Sequence, residues 1–183
     1  VKRVQPTIEL EPLDSVEGEA VGSTMIDTRM VEHIEKRLQL IRHALVGEVS
    51  DIAEQMVSSD RFQTMKHSYP NFTVDKFPLE IRGLEAGQHF PQAGIRDSAL
   101  YISRRVLGDI FDEQVKIILS LIGDRLAAFW ANNPGRTVSY LILSGGFSNS
   151  PYVFQKLKEK FGQNAGIDDQ GSLPISVLRV LEP

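Results

Sequence analysis

The 183-residue chain carries 20 Lys and Arg against 24 Asp and Glu, a formal net charge of −4, which argues against a nucleic-acid partner because phosphate backbones are met by basic surfaces. It has no cysteine, so disulfides and thiolate metal sites are excluded. No apolar run approaches the roughly 18 residues of a membrane span, and the expectation is a soluble cytoplasmic protein with no membrane partner.

The opening run VKRVQPTIELEPL alternates, with Val4, Ile8 and Leu10 suited to a strand and Pro6 to an edge. GEAVGS (18–23) reads as a turn. From Thr24 to about Ala44 the residues Ile26, Met30, Val31, Ile34, Leu38 and Ile41 fall on one helical face. Thr24 with Asp27 three positions on resembles a capping box. A second helical region covers 46–70, with Ser58–Asp60 either interrupting it or capping a further helix at Arg61. FTVDKFPLEI (72–81) predicts a strand with an edge proline, and 83–94 a hairpin-like connection with a short second strand. SALYIS (98–103) predicts another strand. Ser103 is a candidate N-cap for a long helix from Arg104 to about Trp130, whose wide apolar stripe predicts burial.

NNPGRT (132–137) breaks the chain. A buried strand YLIL (140–143) then runs into two glycines, a polar cluster, Pro151 and a helix that Gly162 ends. A last strand covers 175–180. The order strand, glycine turn, helix, strand predicts a parallel pair. Val1 in place of Met, and a strand-like run reaching almost to Pro183, predict a piece of a larger protein.

The Gly145–Gly146 turn raises the functional question. A strand ending in glycines before a helix offers unpaired N–H groups and positive partial charge to an anion, with no Cβ to keep a ligand away. The plainer alternative is a tight turn that binds nothing. It is neither G-x-G-x-x-G nor a P-loop. The only acidic residues about 20 positions on, Asp168 and Asp169, fall in a loop and not at a strand end. In FQTMKHSYP (62–70), Lys66 and His67 are adjacent cations on a helix that also carries Phe62 and Met65. A lysine stem can lie against a base with its charge on phosphate or in water, or the pair is simply a solvated face. The four histidines, 33, 43, 67 and 89, have no metal-ligand spacing, and there is no G-x-S-x-G. No catalytic and no metal-ligating residue is expected in this chain.

LILSGGFSNSPYVFQKLKEKFG resembles the second phosphate- and adenosine-binding segment of the actin-like ATPase superfamily, nearest to the 70-kDa heat-shock chaperones and their divergent fungal-type relatives. VGSTMIDTRMVEHI is similar to that family's Gly-Gly-x-x-Phe-Asp-x-Arg-Met-Val segment, with Gly22, Ser23, Ile26, Asp27, Arg29, Met30 and Val31 at the matching positions. FQTMKHSY lies where the family places a helix whose Lys and Arg sandwich the adenine, with Lys66 at the lysine and His67 at the neighbouring arginine. Three positions depart from the pattern. Ser23 replaces the second glycine, Gln63 the ribose-contacting Glu, and Asn149 an Arg beside the adenine.

The resemblance implies an α/β fold, lobe II of an actin-like (ribonuclease H-like) ATPase with an inserted small α+β subdomain. The main subdomain would comprise 1–21 and 96–183, and the adenine-covering insert 22–95. It implies ATP or ADP as ligand, held by Gly145, Gly146, Phe147, Ser148, Asn149, Lys66, His67, Gln63, Gly22 and Ser23, with Mg²⁺ held only by other parts of the parent. The implied partners are lobe I of the same parent chain and a co-chaperone or nucleotide-exchange factor. The family's first phosphate loop, its Asp-x-Gly-Gly-Gly-Thr, its catalytic carboxylates and its catalytic lysine have no counterpart here. The fragment alone is therefore expected not to hydrolyse ATP. Two alternatives stand beside this reading: a nucleotide-independent interaction module on the same fold, and a Rossmann-like enzyme of dinucleotides or nucleotide sugars.

Overall fold

The computed structural model describes residues 21–162 and 175–180. The expected strand at Val4–Leu10 and the loop carrying Asp168 and Asp169 lie outside them. The chain is a mixed α/β structure.

Helix α1 (Ser23–Gln39) buries Ile26, Met30, Ile34 and Leu38 completely, each burial contributing roughly 2 kcal/mol. It ends earlier than expected, followed by a 3-10 turn at Arg42–Ala44. The expected capping box does not form. Gly22 is the N-cap, with no side-chain cap, so Asp27 falls in the second turn, beyond reach of the cap. Helices α2 (Val49–Val57) and α3 (Asp60–Ser68) follow. Ser58–Asp60 does separate two helices, and the Ser59 hydroxyl caps α3 by accepting from the Phe62 N–H at 3.3 Å.

Strands β1 (Lys76–Glu80), β2 (Ile95–Arg96) and β3 (Ala99–Ser103) form an antiparallel sheet in the order β1-β3-β2. Phe77 faces Ile102 and Leu79 faces Leu100, and all four are buried. Pro78 is tolerated because β1 is an edge, where a missing donor breaks no ladder. Asp97 and Ser98, both at positive φ, make the tight turn between β2 and β3. A division between residues 95 and 96 falls inside β2, and the sheet pairs β1 with β3 across it.

Helix α4 (Arg104–Asn132) begins at Ser103, whose hydroxyl accepts from the Val106 N–H at 3.2 Å. Its burial corrects the expectation. Leu107, Ile110, Phe111, Gln114 and Val115 are buried, but beyond Lys116 the helix is only partly covered, and Ile117 is exposed. The apolar stripe is wide, but among the described residues few pack on its second half.

Strands β4 (Tyr140–Leu143) and β5 (Ser176–Arg179) pair in parallel, with Leu141 opposite Val177, and helix α5 (Pro151–Phe161) connects them. Strand β4 is not buried as expected. Tyr140 and Ile142 are 61% and 63% exposed, because the described sheet has two strands and one face of it is uncovered. Gly162 does close α5, for a steric reason: a Cβ there would stand 2.6 Å from the Lys158 carbonyl oxygen. Among the described residues no helix is long and apolar enough to cross a membrane.

Candidate functional site

Four separate stretches of chain meet at one cleft of about 270 Å³. The first turn of α1 supplies Ser23 and Ile26, and the end of α3 supplies Lys66 and His67. The turn after β4 supplies Gly146, Phe147, Asn149 and Ser150, and Phe111 of α4 also lines it. Of the residues singled out in the sequence, Ser23, Lys66, His67, Gly146, Phe147 and Asn149 line this cleft together.

The floor is aromatic and held from several sides. Phe147 stacks on Phe111 with ring centres 6.2 Å apart, and Phe111 stacks on Tyr69 at 4.8 Å. Tyr152 of α5 meets Tyr69 edge-on at 5.0 Å and donates its hydroxyl to an Asp112 carboxylate oxygen. Burial, then the Asp112 carboxylate, pushes the Tyr152 phenol well above the ordinary tyrosine range. Burial also raises Tyr69. Both rings therefore stay protonated and neutral through the physiological range.

The glycine turn forms the opposite rim. Gly145 has φ 85° and ψ 172°, a combination reserved for glycine. Gly146 lies outside the positive-φ region, and a Cβ added there would meet nothing within 4 Å. Packing among the described residues gives no reason for glycine at 146. Close approach of a ligand would give one. After the 3-10 turn Gly146–Asn149, the Ser150 hydroxyl caps α5 by accepting from the Val153 N–H at 3.4 Å. Ser150 is thus both the N-cap of α5 and a lining residue, so the positive end of that helix lies at the cleft.

The remaining expected residues take other places. Gln63 does not line the cleft: its amide donates to the Val57 carbonyl at 2.9 Å and to Asp27 at 3.4 Å. Gly22 caps α1 behind Ser23. Gly145 shapes the turn without lining the cleft. Ser148 contributes backbone to the 3-10 turn, and its side chain lies outside the described structure. Sequence reasoning missed Ile26, Phe111 and Ser150 as lining residues. Ser150 carried a signal, a small hydroxyl residue before Pro151 at a helix start. Phe111 carried none, since only folding brings α4 to the turn.

Among the described residues no Asp or Glu lines the cleft. Among the described residues no group of three or more His, Asp or Glu side chains is placed to hold a metal ion.

Residues 13–169 match one family model, described as a domain of unknown function (DUF8340). The chain belongs to that family. Every residue of the cleft, from Ser23 to Ser150, falls inside the span that matches DUF8340. No curated protein and no solved structure matches the chain.

Proposed function

We propose that this chain is the adenosine-binding lobe of an actin-like, 70-kDa heat-shock chaperone-related ATPase, binding ATP or ADP without hydrolysing it alone. The observation that carries the reading is convergence. Segments chosen for their likeness to three nucleotide-contacting segments, more than 120 positions apart at their extremes, line one cleft. The parallel β4–α5–β5 unit with its turn at the strand's carboxyl end also supports it, since open α/β sheets take ligands there.

The lining suits a nucleoside. Ile26, Phe111 and Phe147 offer an apolar surface for a base. Ser23, Asn149 and Ser150 offer hydroxyl and amide groups, and open backbone at Gly146 admits a sugar or α-phosphate. The cleft lies near the small end of small-molecule sites, roughly 300–1,000 Å³, so it fits the nucleoside part and leaves the outer phosphates to lobe I of the parent. Phosphoryl transfer rests on positioning and charge stabilisation, and none of the described lining residues is a carboxylate that could hold Mg²⁺ or orient water. On this reading β1–β3 belong with the helical subdomain over the base, and the boundary moves to about residue 103.

The test is calorimetric titration of the chain with ADP and NAD, and of a Lys66→Ala variant with ADP. Saturable ADP binding, weakened by the substitution and unmatched by NAD, supports the proposal. Absence of ADP binding contradicts it.

A nucleotide-independent interaction module is favoured by one observation, the exposed Tyr140, Ile142, Leu178 and Val180 on β4, β5 and the residue after it. If that reading holds, ADP leaves the chain's thermal midpoint unchanged.

A further inference from the structure

Lys66 is 5% exposed, an unusual state for a lysine. Its ammonium donates to both carboxylate oxygens of Asp27, at 2.7 and 2.8 Å, across thirty-nine residues of sequence. Gln63, one turn before Lys66 on α3, donates to the same carboxylate at 3.4 Å and ties it to the end of α2 through the Val57 carbonyl. Asp27 itself does not line the cleft, whereas Lys66 does, together with Ile26 and Phe111. A lysine whose head is held on a neighbouring helix presents its methylene stem to whatever lies alongside.

We infer that Asp27 is the positioning residue of this cleft: by holding the Lys66 ammonium it lays the lysine stem down as an uncharged wall, which selects a flat neutral ring and not a phosphate. The inference rests on the nucleotide reading for its ligand class, and on the Asp27–Lys66 geometry alone for the lock. It assigns the two ends of the cleft different chemistry. The α1–α3 wall takes the base. Anionic groups are directed to the Gly146 turn and the start of α5. It also gives Gln63 a role away from the ligand, as a second tether on Asp27.

The experiment compares the chain with Asp27→Asn and Asp27→Asn/Lys66→Met. Circular dichroism checks folding. The rate of Lys66 acetylation by acetic anhydride is read by mass spectrometry, and adenosine and ADP dissociation constants by calorimetry. In Asp27→Asn the freed ammonium acetylates faster and turns the wall cationic. Adenosine then weakens by about tenfold, the equivalent of roughly 1.4 kcal/mol. ADP weakens less, because the freed ammonium gains a phosphate to meet. The double variant restores an uncharged wall and recovers adenosine affinity to within about threefold, as a coupled pair should. If Asp27→Asn does not fold, the lock is read in the unsubstituted chain, where Lys66 acetylating as fast as the exposed Lys36 and Lys116 overturns it, and the adenosine affinity of the double variant carries the comparison of the wall.

Equal acetylation of Lys66 with and without Asp27 overturns the lock. Equal weakening of adenosine and ADP, with no recovery in the double variant, marks Asp27 as merely structural and overturns its positioning role. A protected Lys66 in a chain that binds no adenosine upholds the lock and overturns the assigned ligand class together with the nucleotide reading.

Discussion

The Tyr69 hydroxyl packs so close to Gly108 that a side chain there would collide with it: a Cβ built on Gly108 stands 2.7 Å from that oxygen. Tyr69 is 8% exposed and its ring lies against Phe111 and Tyr152, so it has no room to retreat. Gly108 is thus what lets α4 approach the aromatic layer under the cleft.

Gly108→Ala should therefore destabilise the chain although alanine is the better helix former by about 1 kcal/mol. Overpacking of this kind costs typically 1–3 kcal/mol, leaving a net loss of about 1 kcal/mol and a fall of roughly 2–4 °C in Tm. Gly123, on the same helix, has open space around it. Gly123→Ala should raise Tm by a similar amount. Thermal melts of the two variants check both signs.

The paired glycines should separate in the same way. Gly145→Ala forces a side chain into positive φ and should cost about 1–2 kcal/mol. Gly146→Ala meets nothing within the protein and should leave stability within about 0.5 kcal/mol. Its methyl group would stand at the cleft, and ADP affinity should fall by about tenfold or more, since one misplaced contact is worth about 1.4 kcal/mol. Denaturation curves and ADP titration of the two variants decide it.

A pH dependence follows from His33, on α1 in the groove against α4. Burial first, then the Arg37 and Lys36 charges, hold its imidazole below the ordinary histidine range. Glu32, Asp109 and Glu113 line the same groove without reversing that direction. Between the lowered folded value and the unfolded value near 6.5 the unfolded chain binds more protons, so stability rises with pH. The contribution is complete above about 6.5 and is lost as pH falls toward the folded value. His33→Gln should reduce the drop in Tm between about pH 7.5 and 5.5. An unchanged drop contradicts the assignment.

The helices with local signals were legible in the sequence. The Ile26–Met30–Ile34–Leu38 stripe and the Ser103 cap are features of a few adjacent residues, and the structure has them where the pattern put them; the break at Ser58–Asp60 was legible too, although α3 starts at Asp60 and not Arg61, with Ser59 as its cap. Burial was less legible. The stripe of α4 and the apolar run of β4 say what could be covered, and only neighbours from elsewhere decide what is. The cleft divides likewise. Ser23, Lys66, His67 and the Gly146 turn stood out in short segments. The partner of Asp27 did not, because local spacing made it a cap and the folded chain makes it a bridge to Lys66.

The central claim is that one nucleotide occupies the cleft between α1, α3 and the glycine turn. Amide chemical-shift mapping by NMR during titration of the ¹⁵N-labelled chain with ADP tests it most directly. Weak saturable binding is expected, on the order of a millimolar dissociation constant, with Ser23, Ile26, His67, Gly146 and Asn149 shifting together along a single isotherm. Shifts confined to other surfaces, or none at millimolar ADP, would contradict it.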